Sequence, residues 1–314
     1  MKKFFAIAAV VAVALTSCVK NEVITPNEEI NFKAVNYKNT KAYKYGPIDN
    51  TTYPIEEHFG VFAFPEDLTG HKYMNNVEVQ YDGSEYWKHA TQSYYWPKDG
   101  KSLDFVCYSP FYATGVDATY DKGVAFTNFT TTNDLDQQVD LMATSVIEDK
   151  TSGPVQVKFA HLLSQIKFNV APKEVYHIIG ITVKDITFTV KSEGDYAQPG
   201  TTIVWNGWSG LANDLAYDVV DTDKKIVHTS TATQPVGTPV IIIPQNQVEI
   251  TVNYEIDYDG TYKEQCNATY TPATQWQMNK IYTYNITIGL DEIKFKPEVV
   301  EWAPGAVETF NANN

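Results

Sequence analysis

Val248-Glu-Ile-Thr-Val-Asn-Tyr-Glu-Ile-Asp-Tyr258, then Asp259-Gly260, then Tyr262-Lys-Glu-Gln-Cys-Asn-Ala-Thr-Tyr270, is the stretch on which the fold turns. Along its first arm an apolar residue stands at every second position, with polar or charged residues between. That period of two places alternate side chains on opposite faces of a strand. The Asp-Gly pair suits a tight reversal, because glycine accepts a positive φ without a Cβ clash. The stretch therefore predicts a long β-hairpin.

The same alternation runs outward in both directions. Downstream, residues 281–290 put Tyr282, Tyr284, Ile286 and Ile288 on one face. Upstream, strands are expected at 30–35, 59–64, 77–81, 94–96, 103–108, 139–144, 155–159 and 165–170. Others follow at 178–183, 186–190, 202–205 and 239–243. Asp82-Gly83 and Asp99-Gly100 supply two more tight turns, and the polar interval 127–138 reads as a loop. No stretch keeps helical spacing beyond about three turns. Many short strands separated by Gly, Pro and Asp turns imply sandwiches or barrels, not a parallel α/β sheet. The expected architecture is all-β: a sandwich over 30–172, a second over 173–292, and a tail over 293–314. The seam falls near the polar break Ala171-Pro172-Lys173-Glu174.

The leader has its own logic. Lys2 and Lys3 precede an unbroken apolar run, residues 4–15, which is 12 long. A spanning helix needs about 20, so the run reads as a secretory signal core. Leu15-Thr16-Ser17-Cys18 then forms a lipid attachment signal. Cleavage of residues 1–17 would leave a lipidated Cys18 held in a membrane leaflet, with 18–29 as a polar tether. The formal charge of −14 becomes −16 without the two leader lysines, 22 Lys against 38 acids. Such a surface repels nucleic acid. Every basic residue apart from histidine is Lys; the chain has no Arg. Cys107 lies on an apolar strand face and reads as a buried free thiol, although a bridge to Cys266 is open to an exported protein.

Chemistry-bearing clusters are sparse. Glu56-Glu57-His58 is the densest group of ligand types, and solvated charges before a strand account for it. Asn133, Asp134, Asp136 and Asp140 could gather round Ca²⁺, but the spacing lacks the Gly and distal Glu of a known calcium loop. No phosphate loop or nucleophile elbow is present. The reading assigns no catalytic residue, no cofactor and no metal. Trp205 and Trp208 are the candidates for a sugar-stacking platform, with the competing reading that large rings fill the core.

Several motifs resemble, in order, those of the fimbrillin-like lipoproteins of Bacteroides and its relatives. They are the lipid signal followed by Ile30-Asn-Phe-Lys-Ala-Val-Asn-Tyr37, His58-Phe-Gly-Val-Phe-Ala-Phe64, Tyr95-Trp-Pro97 and Leu103-Asp-Phe-Val-Cys-Tyr-Ser-Pro110. Asp140-Leu-Met-Ala143, Phe159-Ala-His-Leu-Leu-Ser-Gln-Ile-Lys-Phe168, Ile243-Pro-Gln245 and Trp302 complete the series. The resemblance implies two tandem transthyretin-like sandwiches in a type V pilus subunit, carried to the outer membrane as a lipoprotein. It implies partners among other fimbrial subunits, with a surface receptor or glycan beyond them. It implies a removable first strand, here Ile30, Phe32 and Ala34, released by cleavage between Lys41 and Ala42. The best-known branch is cut after Arg, which this chain lacks. A C-terminal strand of a neighbour then fills the vacancy, and the candidates are Ile293, Phe295, Val299 and Trp302. Whether that tail donates or folds back onto its own domain stays open here. So does the alternative of a glycan-binding lipoprotein or a non-polymerising anchor or tip subunit.

Overall fold

The computed structural model describes residues 28–34, 53–66, 68, 70–175, 179–203, 207–246, 248–290 and 292–302. Among these residues the regular elements are strands and a single 3-10 turn, Leu135–Gln137. The decisive hairpin forms as its alternation requires. Ile250–Asp257 and Lys263–Tyr270 pair antiparallel from Ile250 against Tyr270 to Asp257 against Lys263. At the reversal Gly260 takes φ +81°, and the Asp259 carboxylate accepts the amides of Thr261 and Tyr262 at 2.8 and 2.7 Å.

Three sheets organise the described residues. The first runs Val155–Val157, Phe32–Ala34, Trp87–Lys88, Met74–Tyr81, Phe59–Pro65, Leu103–Ser109, Met142–Ala143 and Ala160–His161, with Ile147–Lys150 also on Leu103–Ser109. The second runs Gln234–Ile242, Ser164–Pro172, Lys280–Ile288 and Ile293–Glu301. The third runs Lys263–Tyr270, Ile250–Asp257, Gly180–Ala197, Gly123–Thr130 and Val116–Thr119. Trp208–Asp218 and Lys224–Ile226 also pair with its long strand Gly180–Ala197.

The division expected at 172/173 is crossed twice. Ser164–Pro172 is built into the second sheet between Gln234–Ile242 and Lys280–Ile288. Gly123–Thr130, expected in part as loop, pairs with Gly180–Ala197 in the third. An apolar face satisfies alternation whichever sheet covers it, so period alone could not assign either strand.

Three apolar clusters hold the sheets together. One packs Ile166, Phe168, Phe188, Val252, Trp276 and Tyr284 between the second and third sheets. Another lies on one face of the first sheet, around Phe32, Phe59, Trp87, Trp96 and Phe105. The third joins the opposite face of that sheet, through Phe62, Phe64, Val106 and Tyr108, to Phe126, Tyr196, Ile241 and Trp302. Phe59–Pro65 is thus buried on both faces, which is why its sequence is apolar nearly throughout. Cys107 is a buried free thiol and Cys266 a half-buried one, with no bridge between them.

Candidate functional site: the seat of the first strand

The segment Glu28 to Ala34 lies in a slot of the first sheet. Its backbone is held from both sides. On one side the Ile30 amide donates to the Tyr94 carbonyl at 2.8 Å, and the Trp96 amide donates to the Glu28 carbonyl at 3.0 Å. On the other, the Val155 amide donates to the Asn31 carbonyl at 2.8 Å. From there Phe32–Ala34 runs parallel to Val155–Val157, while Phe32 also faces Trp87 antiparallel. Alternation then sorts the side chains. Ile30, Phe32 and Ala34 point into the cluster and are 3%, 1% and 1% exposed. The Phe32 ring meets Phe59 and Phe105 edge-on, at centroid distances of 6.0 and 5.7 Å. On the outer face Lys33 pairs with Glu85 at 2.9 Å.

Two polar atoms at this seat are buried without a hydrogen-bond partner: Asn31 Oδ1 and Trp96 Nε1. A buried polar atom without a partner is unfavourable. Beyond the undescribed residues 35–52 the chain returns at Tyr53, whose ring packs against Phe59, Trp87 and Phe159. Its hydroxyl lies 3.0 Å from Ser109 Oγ. Next to it, burial pushes the Glu57 carboxyl up to about 7. The Trp87 indole donates to the Glu57 carbonyl at 3.4 Å.

The C-terminal candidates occupy a different place. Ile293–Glu301 is the outermost strand of the second sheet, paired with Lys280–Ile288 from Ile293 against Ile288 to Glu301 against Lys280. Ile293 and Phe295 pack against the cluster between the sheets, with Phe295 stacked on Tyr270 at 4.7 Å. Val299 is exposed. Trp302 is buried, its amide donating to the Asn279 carbonyl at 2.6 Å and its ring stacked on His161 at 4.0 Å. His161 is in turn 2.9 Å from the buried carboxylate of Asp140. Sequence reasoning marked Trp302, His161 and Asp140 separately and had no periodic signal that could join them.

Two further sequence readings meet the structure here. Trp208 is not an open platform. Its indole donates to the Leu162 carbonyl at 2.7 Å, and its ring lies against Tyr196 and Phe129. The acidic loop does not converge on a cation: Asp134 caps the 3-10 turn, Asn133 binds the Ala216 carbonyl, and Asp140 faces His161. Among the described residues no group of three or more His, Cys, Asp or Glu is placed to hold a metal ion. Cys18, Lys41, Ala42 and Trp205 lie outside the described residues.

A family model described as fimbrillin-like matches residues 40–302. The chain belongs to this family. Among its relatives is fimbrium subunit Fim1C of Phocaeicola vulgatus, 22% identical over 90% of this chain and 92% of the relative. Among solved structures, a fimbrial protein from Bacteroides vulgatus is 18% identical and covers 88% of this fimbrillin-like chain and all of its own, with a TM-score of 0.63. A candidate cell adhesion protein from Bacteroides uniformis is also 18% identical, covers 88% of this chain and 99% of its own, and has a TM-score of 0.52. At these identities the solved structures carry the all-β fold. Family membership rests on the matched model, and the relatives it brings are fimbrial and cell adhesion proteins.

Proposed function

We propose that this chain is a subunit of a surface fimbria, exported as a lipoprotein on Cys18 and assembled with other subunits by strand replacement. Its first strand is a provisional occupant. Cleavage between Lys41 and Ala42 frees it, and a strand from another subunit takes the vacated slot.

The observation that carries this reading is the seat of Ile30, Phe32 and Ala34, whose side chains are almost wholly buried although the paired strand is only three residues long. Removing it would open an apolar channel and leave unpaired amides and carbonyls on both neighbours. An incoming extended segment restores both. Reburial of three such side chains is worth roughly 5 kcal/mol. Donation from one molecule to the next does not close on itself, so it propagates into a filament.

Substitution at the proposed scissile bond tests the idea in cells. The full-length Lys41→Gln variant is expected to accumulate as unassembled lipoprotein, while the parent chain enters fimbriae. Assembly of the variant at the parental level would count against processing at Lys41.

A further inference from the structure

The third sheet carries a hollow of about 520 Å³ on the face turned away from the apolar cluster. It lies where Gly180–Ala197 begins, between Lys224–Ile226 on one side and Ile250–Asp257 on the other. Alternation sends Ile181, Val183, Ile226 and Ile256 into the cluster between the sheets. It leaves Lys225, Thr182 and Glu255 in one row across the outer face. The two walls stand two strand spacings apart, about 10 Å. Between them the floor is low, because the central strand places Gly180 there. Gly180 pairs with Asp257 and has no positive φ. Among the described residues a Cβ added to it would meet only the Asp257 Cβ, at an ordinary 3.6 Å. Neither backbone nor packing demands glycine at this position; its effect is to leave space over the strand, as where a ligand approaches closely.

The charged groups round the hollow are unequally committed. Glu255 is the hub. Its Oε1 takes Lys263 at 2.9 Å, and its Oε2 takes Gln265 at 2.6 Å, with Lys184 3.7 Å away. Lys184 also pairs with Asp223 at 2.6 Å. Asp257 is half engaged: one carboxylate oxygen accepts the Gly260 amide at 2.6 Å, while the other stands 3.7 Å from Lys263, beyond hydrogen-bond reach. On the opposite wall Lys225 and His228 have no hydrogen bond or ion pair among the described residues. The chain beside His228 is braced, because Gln234 holds the Val227 amide and carbonyl at 2.9 and 3.1 Å. The hollow thus offers an uncommitted cation and an imidazole on one wall, a free carboxylate oxygen on the other, and the Thr182 hydroxyl between them.

We propose that this hollow binds a uronic acid residue of an acidic saccharide. Such a pyranose carries a carboxylate at one end of its ring and vicinal hydroxyls at the other. A single ring over Gly180 presents its anion to Lys225 and His228 and its hydroxyl donors to Asp257. A neutral sugar leaves Lys225 unmatched, and a simple carboxylate leaves the Asp257 wall unmatched. The net charge of −14 repels anions at a distance, but that repulsion is screened beyond about 8 Å in physiological salt, so the local cations govern contact. Water reaches both walls, so the binding is weak and salt-sensitive. The hollow belongs to the third sheet and the first strand to the first, so binding here does not depend on strand replacement.

The test uses the full, unprocessed chain and tri-galacturonic acid, followed by saturation-transfer NMR and titration calorimetry. The trimer is expected to bind with a Kd of about 1 mM or tighter. Lys225→Gln and, separately, full methyl esterification of the trimer should each weaken binding by about 10-fold or more. Gly180→Leu should abolish it by filling the floor. Lys225 is exposed, so Lys225→Gln keeps the fold and decides the matter even if Gly180→Leu does not fold. Absence of binding by the parent chain, or equal binding of the esterified trimer, would overturn uronate recognition. Undiminished binding by Lys225→Gln or by a folded Gly180→Leu chain would place the saccharide elsewhere and overturn the site. Equal competition by hexaglutamate would make the partner an acidic peptide and overturn the saccharide. None of these outcomes bears on the first strand, so strand replacement stands or falls separately.

Discussion

Glu57 places a carboxyl at the edge of the cluster that receives the first strand. Burial raises it from the usual 4.5 to about 7, with the neighbouring His58 pulling the other way. The folded chain therefore holds this proton more tightly than the unfolded chain does. The stability it contributes is complete below pH 4.5 and is lost as pH rises through 7, amounting to about 3 kcal/mol at most. Glu57→Gln removes the titrating group and keeps the shape. Thermal melts are expected to coincide for variant and parent near pH 4, with the variant melting higher at pH 8. A variant that keeps the parental loss of stability between pH 5 and 8 would assign that loss to other groups.

At the scale of elements, the edge strand Ile293–Glu301 shows what sequence could and could not reveal. Residues 293–314 read only as a tail; within the strand 293–301 the side chains beyond Phe295 are exposed on both faces, so no alternation survives to mark it. Pro297 sits on the outermost strand, the position in a sheet where proline is tolerated. The long strand Gly180–Ala197 was legible only as two pieces. Its register shifts between Val183 and Asp185, so the buried positions change phase at Lys184 and Asp185 and imitate a turn. By contrast the hairpin at Asp259-Gly260 was plain because its pairing keeps one register throughout, and the run at Phe59–Pro65 was plain because burial on both faces makes it apolar nearly throughout. The candidate site was legible as a half-buried strand at 30–35, and a strand at 155–159 was legible too; their parallel pairing was not, since pairing between distant segments leaves no local pattern. Trp302 is the pin of the edge strand. Trp302→Ala is expected to cost about 3–5 kcal/mol, and to speed hydrogen exchange first at the Glu301 end of the strand. Uniform exchange along 293–301 in the variant would mean that the ladder alone holds the strand.

For the molecule as a whole, the three sheets are bound to one another through the junction cluster, while the first strand belongs to the first sheet alone. It can therefore be exchanged without disturbing the packing between the second and third sheets. The sequence composition sets a condition on the proposed exchange. With no Arg in 314 residues, an arginine-specific protease has no bond to cut, and the proposed release at Lys41 requires an enzyme that accepts lysine. The most direct measurement is the intact mass of subunits extracted from purified fimbriae. The account predicts polymerised chains that begin at Ala42 and lack Ile30, Phe32 and Ala34. Polymerised chains that still carry those three residues and a lipidated Cys18 would contradict it.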